Sequence, residues 1–167
     1  KGVVTATGTG TTYIKVYNKQ NDCYAAVKVQ VNGEQGRTAA KIVGGGNHFV
    51  ALKANGEVWT WGYNGYGQLG IGNTETKNRP TKTNIYNSKD ETQSTYAIDV
   101  AAGYSHTLVL KSDGTVWAAG YNEYGQLGDS STTNTSEFVQ VTGIPEKVIA
   151  ITAGGHSSYA LTESGKV

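Results

Sequence analysis

The 167-residue chain has no methionine, two prolines and one cysteine, Cys23. A single cysteine excludes any disulfide within the chain, and its expected role is that of a small buried apolar side chain. Fourteen Lys and Arg against thirteen Asp and Glu leave a net charge of +1, which gives no electrostatic footprint for nucleic acid. No apolar run approaches the ~18 residues of a membrane-spanning helix. The sequence holds no HExxH, no nucleophile elbow and no Ser-His-Asp signature, so a catalytic reading has no residue to name. The expectation is a non-enzyme without cofactor or metal. The missing methionine, at the first position included, points to a mature product or an excised piece of a longer chain.

What the chain has instead is repetition. Gly62-Tyr63-Asn64-Gly65-Tyr66-Gly67-Gln68-Leu69-Gly70 returns as Gly120-Tyr121-Asn122-Glu123-Tyr124-Gly125-Gln126-Leu127-Gly128, at an offset of 58 residues, changed only at Gly65 against Glu123. Upstream, His48, Leu52, Gly56, Val58 and Trp59 return at the same offset as His106, Leu110, Gly114, Val116 and Trp117. A third copy runs from Ala153 to Val167 at an offset of 51 from the second. In it Ser157 takes the column of His48 and His106, and His156 stands one place early. Internal repetition at such a period marks stacked supersecondary units.

His48 to Leu52 and Thr107 to Leu110 are continuous apolar runs, which a strand tolerates only when both faces are covered. Asn55-Gly56, Asp113-Gly114 and Ser164-Gly165 recur at one place and suit tight hairpin turns. Pro80 to Thr83 aligns with Phe138 to Val141 as an outer, edge-type strand. The units resemble the regulator-of-chromosome-condensation repeat family over residues 40–167, through Ala-Ala-Gly, the His position, Asp-Gly, Val-Trp and Gly-Gln-Leu-Gly. The resemblance implies a β-propeller in which each repeat supplies about one four-stranded blade. It also implies that fold alone does not decide function, since the family includes nucleotide-exchange factors and many proteins without that activity.

Residues 1–32 differ in texture. Thr12 to Tyr17 and Cys23 to Val31 alternate apolar and polar around the turn residues Asn18 to Asp22, which predicts a hairpin with one apolar face. Together with Gly2 to Thr11 this stretch resembles the second half of a bacterial immunoglobulin-like group 2 domain. The expected architecture is therefore all-β. A hairpin remnant of an immunoglobulin-like sandwich (1–32) and a linker (33–41) precede a partial propeller (42–167). The propeller comprises two full blades, 42–98 and 99–150, and the start of a third, 151–167. Such a third hairpin is expected to be covered by further repeats or by another copy, or else to lose its blade geometry.

Gly65 to Gly70 spells G-x-G-x-x-G, but no helix follows and Glu123 breaks the second copy, so a nucleotide loop is excluded. In the scaffold reading the glycines supply special backbone angles, Tyr and Leu fill the gap between blades, and Asn and Gln tie down the loops. His48 and His106 read as groups that hydrogen-bond neighbouring backbone rather than metal ligands, and Trp59 and Trp117 as core. Recognition is expected where the copies differ, at Trp61, at Tyr104 and in the Lys77-to-Tyr96 insertion with Lys77, Arg79 and Tyr86. That segment is long and polar, and is expected to be the most mobile of the repeats. The functional expectation is a protein-interaction or adhesion module of a secreted or surface protein from a bacterium, its partner unnamed. The alternatives are regulation of a small GTPase through the propeller face, and glycan binding on exposed Tyr and Trp.

Overall fold

The structure, a computed structural model, describes residues 10–18, 23–31, 38–85 and 95–167. The side chain of Cys23 and residues 86–94 of the 77–96 insertion, Tyr86 included, lie outside the described residues. Strands β1 (Gly10–Asn18) and β2 (Cys23–Val31) form an antiparallel hairpin. Its register sets Ile14 opposite Val27 and Val16 opposite Ala25, so the two apolar alternations are matched. No helix long and apolar enough to cross a membrane occurs among the described residues.

The repeats fold as antiparallel sheets in simple chain order. The first holds β3 (Lys41–Gly44), β4 (His48–Leu52), β5 (Val58–Gly62) and β6 (Lys77–Lys82). The second holds β7 (Ala97–Ala102), β8 (His106–Lys111), β9 (Val116–Gly120) and β10 (Thr135–Gln140). A third unit pairs β11 (Val148–Gly154) with β12 (Ser157–Thr162). The turns at Gly56, Gly114 and Gly165 have φ of 86°, 86° and 85°, as their dipeptides predict.

Apolar packing lies between the sheets, and strand periodicity explains how. Val109 of β8 faces the first sheet and joins Val50, Leu52, Val58, Ile85, Ala97 and Val100. Its neighbours Leu108 and Leu110 point the other way, to Val116, Leu127, Val148 and Ile151. All three β8 side chains are essentially inaccessible. Each such burial contributes about 1.5–3 kcal/mol, and the continuous apolar run follows from serving two seams at once. Ile85, buried in the first seam, and Thr83, also buried, show that the start of the insertion is anchored; Lys77 to Lys82 is strand β6.

A polar latch runs through each seam. The Thr107 hydroxyl donates to the Gln68 carbonyl at 2.7 Å and lies 2.9 Å from His48 Nε2. A threonine has one proton to give, so Nε2 carries the imidazole hydrogen and donates to the hydroxyl. Ser158 repeats the arrangement: it donates to the Gln126 carbonyl at 2.6 Å and receives His106 Nε2 at 2.9 Å. Both rings are fully buried, with Nδ1 unpartnered. Their partners are side-chain hydroxyls of the next unit, where the sequence suggested backbone. Each ring fills the space above a glycine: a Cβ on Gly45 would come within 2.3 Å of the His48 ring, and one on Gly103 within 2.0 Å of the His106 ring. Gly154, their counterpart in the third unit, faces open space, because Ser157 stands in the histidine column.

The β11–β12 hairpin keeps the antiparallel pairing of β7–β8 although Tyr159 is 52% exposed and a cleft of about 780 Å³ opens beside it. Its pairing is that of a blade hairpin, so the geometry is not lost. The Ser158 latch and the buried Val148 and Ile151 hold its inner face. In the first seam Trp117 and Phe138 of the following sheet pack against the core. The third unit brings a two-stranded hairpin to the second seam, and the cleft lies over Leu108, Leu127, Val141 and Ile144.

Burial, and then the neighbouring His106, lowers the pKa of His48 to about 4; burial, and then His156, does the same for His106. Both rings are neutral in the folded protein at pH 7, while the unfolded chain takes up protons below about 6.5. Stability is therefore fully present above pH 6.5 and falls as pH drops toward 4, by up to about 3 kcal/mol per histidine. Urea unfolding across that window should show this slope, and His48→Gln with His106→Gln should flatten it. An unchanged slope in the double variant would refute the latch assignment.

Candidate functional site

The loops after β5 and β9 are built alike. Asn64 accepts the Leu69 N–H at 3.0 Å, and Asn122 accepts that of Leu127 at 2.9 Å. Gln68 accepts the Tyr66 N–H at 3.1 Å, and Gln126 that of Tyr124 at 3.0 Å. Each Asn amide also donates outward, Asn64 to the Asn73 and Glu75 carbonyls, Asn122 to Asp129, Ser131 and Thr133. Both Asn side chains and Gln68 are fully buried, Gln126 nearly so, and Leu69 and Leu127 are sealed in. Asn and Gln thus tie down the loop backbone, and Leu is packed beneath it.

The tyrosines are placed otherwise. Tyr63, Tyr66 and Tyr124 are 44%, 39% and 70% exposed, so they do not fill a gap between sheets. They form an outward strip. Tyr63 meets Tyr66 at a centroid distance of 6.1 Å, Tyr66 meets Tyr121 across the seam at 4.9 Å, and Tyr121 meets Tyr124 at 5.9 Å, all edge-on. His156 adjoins Tyr121, Tyr124 and Tyr104 at 5.8, 5.2 and 6.0 Å. Tyr104 is 54% exposed, and its backbone is held from both sides: its carbonyl accepts the Gly46 N–H and its N–H donates to the Gly155 carbonyl. The one-place shift of His156 thus takes a histidine out of the latch and puts it among the exposed rings. In sequence it was visible as a displaced column; its destination was not.

Other predicted contacts sit elsewhere. Trp61 is 3% exposed and stacked on Phe49 at 5.5 Å, so it presents no contact surface. Trp59 and Trp117 are only half-buried. Their indole N–H groups bond Glu57 and Thr115, and the Lys53 and Lys111 ammoniums cover their rings. Lys77 pairs with Glu75 at 2.7 Å, and Arg79 is exposed on β6; no ring contact joins either to the tyrosine strip. Among the described residues no group of three or more His, Cys, Asp or Glu is placed to hold a metal ion.

Four-stranded antiparallel sheets packed in series, latched at each seam and carrying the same loop after the third strand, define a propeller-repeat protein. The Regulator of chromosome condensation (RCC1) repeat matches residues 55–110 and 113–161, and this chain belongs to that family. It is 28% identical over 143 residues to the ultraviolet-B receptor UVR8 of Arabidopsis thaliana, covering 84% of this chain and 31% of the relative. It is 33% identical over 125 residues to the X-linked retinitis pigmentosa GTPase regulator of Canis lupus familiaris, covering 74% of this chain and 12% of the relative. The chain thus spans a third or less of these relatives' length. The crystal structure of Kap60 bound to yeast RCC1 (Prp20) superimposes with a TM-score of 0.65 at 18% identity, over 97% of this chain and 44% of that one, which supports the propeller fold.

Scaffold and surface separate cleanly in this loop, and stability should separate with them. Asn122→Ala strips the Leu127 N–H and several neighbouring groups of partners and should cost about 2–4 kcal/mol. Tyr124→Ala, at an exposed position, should stay within about 0.5 kcal/mol of the parent. Chemical denaturation of both variants checks this; a larger loss for Tyr124→Ala would show that the strip is structural.

Proposed function

We propose that the chain is a non-enzymatic protein-interaction module whose contact surface is the tyrosine strip formed by the loops at 62–70, 103–105, 120–128 and 154–156. The observation that carries the reading is the division of labour within one loop. Buried Asn, Gln and Leu fix the backbone, while the positions free of that task hold exposed tyrosines in both copies. Tyrosine brings large contact area at low conformational cost and is favoured where proteins meet. The RCC1 (Prp20) relative was crystallised bound to Kap60, another protein, which supports the reading by likeness of fold.

A second reading, regulation of a small GTPase, draws support from the relative named a GTPase regulator. Glycan binding on the same exposed rings is a third, favoured by nothing beyond their exposure. The matched hairpin of β1 and β2 is what an immunoglobulin-like remnant at 1–32 would supply, and the secreted or bacterial-surface setting rests on that resemblance.

The test is photo-crosslinking with p-benzoylphenylalanine placed at Tyr104, Tyr124 or Arg79, in parallel with nucleotide release from a panel of small GTPases. The expected result is a discrete protein adduct from the two tyrosine positions, reproduced with the purified partner, no adduct from Arg79, and no acceleration of release. Accelerated release would move the assignment to the second reading. Adducts from Arg79 alone would place the contact surface on β6.

A further inference from the structure

The two copies of the loop differ at one residue, and that residue reshapes the strip. In the first copy Gly65 has no side chain, and the Tyr63 phenol oxygen folds back to 2.1 Å from where a Cβ would stand. In the second copy Glu123 occupies that space, and Tyr121 instead donates its hydroxyl to the Glu123 carboxylate at 2.7 Å. Tyr121 becomes the hub of the strip, in contact with Tyr66, Tyr124 and His156. The substitution thus does two things at once: it joins the rings of neighbouring blades into one surface and sets a carboxylate beside them.

Shape and charge narrow the class of partner. The ring pairs stand at interplanar angles of 60° to 78°, which makes a ridged surface instead of the flat platform that a stacked sugar ring or base would need. The rings touch, with centroids 4.9 to 6.1 Å apart, so a ligand lies over them and not between them; exposed ring faces set at such angles suit the proline rings of a polyproline II segment, which is extended and already ordered. The loops that make the surface, 45–47, 62–70, 103–105, 120–128 and 154–156, contain no Lys or Arg, and Glu123 is their only carboxylate. Their one fixed charge is therefore negative and stands against phenol rings, a setting that complements a guanidinium or ammonium.

We propose that the strip is a docking surface for an extended, proline-rich segment of a partner protein, with an arginine or lysine of that segment seated between Glu123 and the ring of Tyr124. This rests on the protein-interaction reading above and specifies its ligand. Prolines pack on the exposed faces of Tyr63, Tyr66 and Tyr124, and the cation fixes direction and register.

The experiment uses the full chain and a fluorescein-labelled peptide of Pro-Pro-Arg repeats, read by anisotropy. Its comparators are Pro-Pro-Glu repeats, Gly-Ser-Arg repeats of equal charge, and a chitin oligosaccharide. Saturable binding of the Pro-Pro-Arg peptide is expected. It should weaken about tenfold in Tyr124→Ala and at least about threefold in Glu123→Gln, and remain unchanged in Ile149→Ser, an exposed control on β11. The Pro-Pro-Glu peptide should bind more weakly and ignore Glu123→Gln. No saturable binding overturns the proposal, as does equal affinity for the flexible Gly-Ser-Arg peptide, or oligosaccharide binding that depends on Tyr124. Crosslinking of a folded partner at Tyr124 without any polyproline binding removes this inference and leaves the protein-interaction reading standing.

Discussion

One threonine hydroxyl, Thr107 Oγ1, touches both sides of the first seam: it donates to the Gln68 carbonyl and accepts from His48 Nε2. Both of the groups it joins belong to the preceding sheet, the histidine at the start of β4 and the carbonyl within the 62–70 loop. Three buried polar groups are satisfied together, and none could be left unpaired without a desolvation cost. The latch therefore sets the register of one sheet on the next, something apolar side chains alone specify poorly. Ser158 does the same for the following seam with the shorter residue.

The latch also couples the hidden side of the seam to the exposed one. It grips the carbonyl of Gln68, whose side chain accepts the Tyr66 N–H, and the carbonyl of Gln126, whose side chain accepts that of Tyr124. The tyrosines thus stand on a backbone fixed from beneath, and the Tyr66–Tyr121 contact across the seam depends on that registration. Rigid support under exposed aromatic side chains lowers the ordering cost of binding, which is how a small strip can recognise a partner.

Much of this was legible in the chain. The 58-residue repeat identified the sheets, the apolar run of β8 implied cover on both faces, and the Asn and Gln of the loop read as backbone ties. What escaped was direction. Trp61 and Tyr63 lie two apart in sequence; Trp61 read as a contact residue and Tyr63 as filling between blades, yet Trp61 is sealed against Phe49 and Tyr63 is solvent-exposed. Trp61 sits in β5, where pleat alternation decides its face, while Tyr63 comes just after Gly62, at φ 104°, has taken the chain out of the strand. A period-two reading ends at that glycine, and nothing local says where the next side chain points. The histidine partners escaped for a different reason: Thr107 and His48 are 59 residues apart, so their pairing exists only once the sheets are stacked.

Repetition hides function in its own way. Residues shared by the copies invite a scaffold reading, and for Asn64, Gln68 and Leu69 with their counterparts it is right. The tyrosines are shared too, but Tyr63, Tyr66 and Tyr124 are exposed, and burial in the loop does not account for them. Difference between copies then identifies where the common surface is specialised. Gly65 against Glu123 and the displaced His156 both fall on the strip, and both act on the same ring, Tyr121: Glu123 holds its hydroxyl, lifting its pKa to about 12, and His156 packs on its side. Two independent departures from the repeat converge on one half-buried hub within the strip, whereas the departures at Trp61 and along β6 converge on nothing. That convergence, rather than exposure alone, separates the strip from the ordinary aromatic scatter of a protein surface.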